Sequence, residues 1–265
     1  MIIFVIVMKH SIILSADGSN TLKLADFDEC YHSSNGAYSE ACHIYIKCGV
    51  EYLWNKILEA NATSSIQTKS IAVYDIGLGT ALNAMATIVW QEQMLAGGAE
   101  VPHILYNGIE KYPIAPEEAL QLNFASHINE SLEAVGAKNV ISIEKLQYVY
   151  EKIHMCNWEA DVEITPYFTL HKHENDITTV EGKYFGGING KTPSVIMYDT
   201  FSPATQPQLW DVEIFRKIAQ NAAAGSILTT YCSKGTVKQA LREAGFQLQR
   251  LSGPAGKRHI LRATI

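Results

Sequence analysis

Asp199 ends the apolar run Ser194-Val-Ile-Met-Tyr198, and the turn Thr200-Phe-Ser-Pro203 follows it directly. An acid presented at a strand end, beside an aromatic ring and a proline-stiffened turn, can hold an amine or hydroxyl and accept its proton. In open α/β sheets the carboxyl ends of the strands form the ligand crevice, so the other strand ends decide what Asp199 faces. Tyr74-Asp75-Ile76-Gly77-Leu78-Gly79-Thr80 ends a strand and opens a helix, where glycines admit a ligand against the backbone. Leu82 stands where a dinucleotide fingerprint has its third glycine, which disfavours a pyrophosphate cradle. Glu110 closes a second strand, and its two oxygens can accept from both hydroxyls of a ribose. It lies 31 and 33 residues beyond Gly79 and Gly77, against about 20 in the dinucleotide rule. A long helix and the Gly97-Gly98 turn account for the excess. Asp176 follows a third strand and can accept from an adenine amine, with Ile177 against the ring. Gly-x-Gly, Glu, Asp and Asp on four strand ends make a nucleoside-cofactor site with Asp199 on its catalytic edge.

Positioning these groups requires alternating strands and helices. Spacing predicts short extended pieces over 11–38, with a turn at Asp17-Gly-Ser-Asn20, then a helix N-capped by Ser39 and running to Asn61. A polar break over 61–70 separates an N-terminal extension (1–65) from a main domain (66–265). In the main domain strands are predicted at 71–76, 103–109, 168–172, 195–198 and 227–231. Helices are predicted at 80–95, 116–124, 129–134, 207–223 and 233–244. Residues 140–165 have helical parts without a clear boundary, and 246–251 with 259–263 close the chain as a strand pair. The pattern implies an α/β fold with a mostly parallel, doubly wound sheet and an antiparallel C-terminal edge hairpin.

Composition sets the bounds. With 265 residues, 47% hydrophobic and 18% charged, the chain reads as one domain with at most a small appendage, and a disordered chain is excluded. Five cysteines, an odd count without a CxxC pair, argue against a disulfide framework or zinc site and point to a reducing cytoplasm. His171 and His173 flank Lys172, and without a third placed ligand they read as a polar strand face, so no metal is expected. The opening Met1-Ile-Ile-Phe-Val-Ile-Val-Met8 has no preceding basic residue. It is also far shorter than the roughly 20 apolar residues of a membrane span, so no membrane is expected. It is an edge strand, or it precedes a functional start at Met8. Residues 234–265 hold seven basic side chains against Glu243 alone, a net +6 that leaves −12 on the rest. Such a basic end, Lys234 to Arg262, suits phosphates.

The strand–acid-x-Gly-x-Gly–helix form is the one S-adenosylmethionine (SAM) methyltransferases use. More closely, the chain resembles the methyltransferase domain of the MnmC family and its stand-alone counterpart MnmD, over about residues 22–263. The resemblance is carried by Asp28-Glu-Cys-Tyr-His-Ser-Ser-Asn-Gly36 with Glu40 and His43, by Asp75-Ile-Gly-Leu-Gly-Thr80 with Leu82-Asn83, and by Glu110-Lys-Tyr-Pro113. Asp199-Thr-Phe-Ser-Pro-Ala204 with Pro207 and Trp210, and Gly256-Lys-Arg258, complete it. It implies a Rossmann-like SAM-dependent fold whose N-terminal extension helps to cover the cofactor. The implied reaction methylates the aminomethyl nitrogen at C5 of the wobble uridine in the tRNA anticodon loop. Asp75, Gly77 and Gly79 would then serve SAM from the first loop, Glu110 its ribose and Asp176 its adenine. Tyr31, Ser34, Asn35 and Gly36 would line the cofactor or substrate cleft. Asp199 would be the catalytic acid, and Phe201 could stack on the flipped uracil.

Two departures bear on the substrate: Thr200 replaces the family's glycine after the aspartate, and Ala81 replaces a glycine of the first loop. A side chain at 200 narrows the target pocket. The chain stops where MnmC continues into an FAD-dependent oxidase domain, and it has no Gly-x-Gly-x-x-Gly fingerprint, so neither flavin nor oxidase activity is expected. A small-molecule amine methyltransferase and a non-catalytic SAM-binding module are the alternatives.

Overall fold

The computed structural model describes residues 10–24, 29–64, 67–137 and 139–265. The expectations for residues 1–8, the start of the Asp28 motif and the 65/66 boundary lie outside the described residues. The chain opens on a two-stranded antiparallel sheet, β1 (His10–Leu14) and β2 (Asn20–Leu24). One continuous helical run follows: α1 (Ala37–Ala41), a π-helical stretch with i→i+5 geometry (Cys42–Glu51), and α2 (Tyr52–Asn61). The run starts two residues before the expected cap Ser39. Gly36 is the N-cap residue, and Ser39 N–H donates to the Asp17 carboxylate at 3.0 Å. Asn61 closes the polar break by bonding Thr68 N–H and Thr68 C=O at 3.0 and 2.9 Å.

The main sheet is built from β3 (Ser70–Ile76), β4 (His103–Glu110), β5 (Asp161–Thr165), β6 (Phe168–Glu174), β7 (Val195–Tyr198), β8 (Ile227–Thr230), β9 (Gln247–Ser252) and β10 (His259–Thr264). Its spatial order is β5-β6-β4-β3-β7-β8-β10-β9. The pairings β6–β4, β4–β3, β3–β7 and β7–β8 are parallel, and β10 and β9 complete an antiparallel C-terminal edge, as expected. The opposite edge carries β5, antiparallel to β6, in the segment the sequence leaves unresolved. The central strands β3, β7 and β8 are buried along nearly their whole length on both faces, in β8 with Thr229 and Thr230 as well as apolar residues.

The helices are α3 (Leu82–Ala96), α4 (Pro116–Ala119), α5 (Phe124–Ala134), α6 (Ile143–Met155), α7 (Val212–Asn221) and α8 (Gly235–Glu243). The helix expected over 116–124 is short and ends at Ala119, and Phe124 opens the next one. Asn123 exchanges hydrogen bonds with Asn20, tying that break to β2. Pro207 starts only a 3₁₀ turn, Pro207–Trp210. Asp211 then caps α7, its carboxylate accepting Glu213 N–H at 2.8 Å. No described helix is long and apolar enough to cross a membrane.

One apolar layer joins the N-terminal run to the sheet. Ile44, Tyr45, Val50 and Trp54 pack in the same cluster as Ile71, Val73, Met85 and Phe168. Trp54 is fully buried, and its indole N–H donates to Glu100 C=O at 3.0 Å. Trp54→Ala is therefore expected to destabilise the whole domain by about 3–5 kcal/mol, read from the urea unfolding midpoint as a single transition.

Candidate active site

Register brings the first loop and the Asp199 turn together. Ile76 pairs with Tyr198 across the parallel β3–β7 ladder, so Gly77 and Asp199 leave the sheet side by side. Strand order departs in opposite directions on the two sides of β3, which is the switch point where open sheets bind ligands. Gly77 has φ +93°, and a Cβ there would lie 2.8 Å from the Asp199 carbonyl oxygen. Only glycine fits this approach. Ala81, the departure from the family's glycine, is held left-handed at φ +58° in front of α3.

Above these strand ends opens a cleft of about 500 Å³, within the usual size range of small-molecule sites. Its lining includes Gly77, Gly79, Glu110, Asp176, Asp199 and Phe201, together with Tyr31 and Ser34 of the extension. Three expected site residues are absent from the lining. Asp75 is fully buried beneath the floor, accepting from Tyr106 O–H at 2.6 Å and from the Asn83 amide at 3.3 Å. Asn35 packs its amide against Gly256 of the β9–β10 loop. Gly36 begins α1 at φ +139°, where a side chain would collide with Ser39 and the Asp17 carboxylate.

Asp199 is gripped on both oxygens. Tyr45 O–H donates to Oδ1 at 2.6 Å, and the Asn83 amide donates to Oδ2 at 2.9 Å. Burial raises its carboxyl to about 6, with the two donors opposing that rise. Burial also raises Asp75, to about 8, with the Tyr106 and Asn83 donors opposing the rise. Neither Tyr45 nor Asn83 has a role in the sequence reading. Tyr45 looks like one more apolar residue on a buried helical face, and only packing reveals where its hydroxyl points. Asn83 stands in the segment with Leu82 that carries the resemblance, but without a role of its own.

The turn after Asp199 is fastened from several sides. Glu29 accepts from Ser202 N–H and Oγ at 2.8 and 3.2 Å, Trp210 Nε1–H donates to Phe201 C=O at 2.8 Å, and Tyr231 O–H donates to Thr200 C=O at 2.9 Å. Phe201 meets the Tyr31 ring edge to face at 5.2 Å. Thr200 is buried in the cleft wall. Glu110 accepts from Gly79 N–H at 3.0 Å and Tyr112 N–H at 2.9 Å, and burial raises its carboxyl. Asp176 pairs with Lys111 at 2.7 Å.

Five carboxylates but only two lysines line the cleft. The lysines are each paired, Lys111 with Asp176 and Lys257 with Glu40, so the field favours a cation. In the basic C-terminal segment, Arg262 is buried, lying 3.3 Å above the Tyr52 ring and bonding Gln249. That leaves Lys234, Arg242, Arg250 and Arg258 exposed and Lys238 half-buried. On β6, His171 and His173 stack at 4.0 Å. His171 bonds Asp161 at 2.8 Å and His173 bonds Glu159 at 3.2 Å.

Residues 173–265 match the model of a family described as S-adenosyl-L-methionine-dependent methyltransferase. The chain is 27% identical over 252 residues to a Burkholderia multivorans protein named tRNA 5-methylaminomethyl-2-thiouridine biosynthesis bifunctional protein MnmC. That match covers 91% of this chain and 33% of the relative. A Pseudoalteromonas atlantica protein of the same name is 24% identical, covering 95% of this chain and 33% of the relative. The chain thus spans about a third of the length of the curated relatives it matches. In fold it is similar to the crystal structure of MNMC2 from Aquifex aeolicus, with a TM-score of 0.63 at 22% identity, covering 97% of this chain and 70% of that one.

Proposed function

We propose that the chain is a member of the family of MnmC methyltransferase domains and that it methylates the aminomethyl nitrogen at C5 of a tRNA wobble uridine. The product would be 5-methylaminomethyl-(2-thio)uridine. The observation that carries this reading is the Asp199 carboxylate, held by Tyr45 and Asn83 against Gly77 in a cleft with an excess of acid. SAM fits that cleft: glycine backbone lies on one wall, the Glu110 carboxylate stands at the end of β4, and the anionic lining suits a sulfonium. When bound, SAM supplies an electrophilic methyl group on its sulfur.

The chain's own residues then do the rest. Gly77 and Gly79 would hold the cofactor's methionine part, Glu110 would take the ribose hydroxyls, and Asp176 would take the adenine amine. The extension through residue 65, with Tyr31 and Ser34 at the cleft, is its cover. A primary alkylamine is mostly protonated at neutral pH, so Asp199 accepts the proton and leaves nitrogen with its lone pair. Positioning supplies much of the remaining acceleration. Phe201, which lines the cleft, would stack on the base.

Tyr45→Phe removes one donor to the Asp199 carboxylate and so raises its pKa. The acid limb of kcat/KM is expected to move up by about 1 pH unit, with SAM affinity unchanged by calorimetry. The exposed cations Lys234, Arg242, Arg250 and Arg258, with Lys238, are the proposed phosphate contacts for tRNA. Binding of tRNA is therefore expected to weaken steeply with added salt. A salt-independent affinity would favour a small-molecule amine instead. The five free cysteines accord with a reducing cytoplasm as the proposed compartment. The direct test is labelled methyl transfer from SAM to tRNA bearing 5-aminomethyluridine. No incorporation there, with SAM bound, would overturn the reading.

A further inference from the structure

One ion pair in the cleft has no part in holding SAM or in gripping Asp199. Glu40, on α1, and Lys257, in the loop between β9 and β10, form a salt bridge with side-chain exposures of 11% and 23%. Both line the cleft beside Asp199, Thr200 and Tyr231. The Lys257 ammonium also lies 5.3 Å from the Tyr231 ring centroid, within cation–π range. That ring is fixed because its hydroxyl donates to Thr200 C=O at 2.9 Å. Glu40 is close enough to Asp199 for its charge to raise that carboxyl.

Of the cleft acids on the Asp199 side, Glu29 is satisfied by Ser202, and Asp199 by Tyr45 and Asn83. Glu40 differs, because its counter-charge is a flexible side chain on a surface loop. Chemically, that counter-charge is a primary alkylammonium, the same group as a protonated aminomethyl substituent. A carboxylate below and an aromatic face beside it are what such a group needs when withdrawn from water. The loop is itself strapped down: Asn35 covers Gly256, and His43 Nε2 lies 2.9 Å from Ser252 C=O. Lys257 is thereby delivered to Glu40 by the backbone. Next to it in sequence, Arg258 is exposed.

We propose that Glu40 and the Tyr231 ring form the seat for the substrate's ammonium group, and that Lys257 fills this seat in the free enzyme until substrate displaces it. The inference rests on the amine-methylation reading. An amine arriving on RNA brings phosphates that the released Lys257 and neighbouring Arg258 can meet, so displacement exchanges one ion pair for others. A free amine lacks those phosphates and must compete with Lys257 unaided. The seat thus favours an ammonium carried on a polyanion over the same ammonium alone.

The test is equilibrium binding of the nucleoside 5-aminomethyluridine, with 5-hydroxymethyluridine as its uncharged counterpart, to protein saturated with S-adenosylhomocysteine. Lys257→Met should bind the ammonium nucleoside at least fivefold more tightly than wild type, and Lys257→Gln, which keeps a polar side chain, should do the same. Glu40→Gln should lose the preference for the charged nucleoside. All three variants should keep wild-type SAM affinity and thermal midpoint within small margins. Unchanged ammonium affinity in both Lys257 variants, or a retained preference in Glu40→Gln, would overturn the seat. If no amine is ever methylated while these binding shifts appear as expected, the seat stands and the methylation reading fails.

Discussion

Asp199→Asn is expected to lower kcat by about 10²–10⁴-fold, the usual worth of a positioned general base, while SAM affinity stays near wild type. Asparagine keeps the shape and can still meet Tyr45 and Asn83, but it cannot accept the amine's proton. Burial makes the carboxylate a better base, lifting it from an ordinary 3.8 to about 6. On the proposed reading, an alkylammonium of pKa about 10 would transfer its proton against a gap smaller by about 2 units, on the order of 3 kcal/mol. Wild-type kcat/KM should fall as pH drops through about 6, because the protonated acid is no base, and that limb should vanish in the variant. Stability runs the other way. A carboxyl whose folded pKa lies above its unfolded one loses its stabilising share as pH rises from about 4 through about 6. Asp199→Asn should therefore unfold no earlier than wild type at neutral pH, which a urea titration separates from a loss of activity through misfolding. A variant within a few-fold of wild-type kcat would remove Asp199 from the chemistry.

Gly77→Ala is the second large effect, expected to cost about 100-fold in turnover, since a misplacement of about 1 Å at the reacting centre is worth that much, and to weaken SAM binding as well. Two separate penalties meet at this position. The backbone sits at φ +93°, and the new methyl would lie 2.8 Å from the Asp199 carbonyl oxygen. The obstacle is main chain, so one of the two strand ends must move. Gly98→Ala is the control: it shares the left-handed conformation at φ +70°, but nothing lies within 4 Å of its added methyl. It should lose only about 1–2 kcal/mol of stability and bind SAM normally. Equal SAM affinities for the two variants, by calorimetry, would mean that the close approach of Gly77 to Asp199 has no bearing on the site.

The parallel sheet was legible because its strands are apolar runs bounded by turns and helices, and the ends at Gly77, Glu110 and Asp199 stood out as polar stops to those runs. Three features were not legible. The π-helical stretch has no residue signature, since Cys42–Glu51 carries the same apolar spacing that an α-helix would. The break at Leu120–Asn123 is set by a tertiary exchange between Asn123 and Asn20, more than 100 residues apart. Strand β5 alternates polar and apolar residues so briefly that only pairing with β6 defines it. Within the site, the motif Tyr31 to Gly36 showed which stretch reaches the cleft but not which side chains face it. Tyr31 and Ser34 line the cleft, while Asn35 and Gly36 hold a neighbouring loop and a helix start. Arg262 and Lys257 read as free surface cations, and the fold uses both for internal contacts. Net charge is visible in a sequence, but the partners of each charge are not.

The widened helix from Cys42 to Glu51 makes chain length itself a functional constraint. Removing one residue there, so that i→i+4 bonding resumed, would change the turn between α1 and α2, because the two hydrogen-bond patterns wind the chain by different amounts per residue. Tyr45 would swing away from Asp199, and Glu40 from Lys257, while every residue type in the site stayed the same. Between Ala41 and Tyr52, relatives that keep this chemistry should therefore differ freely in composition but not in residue count.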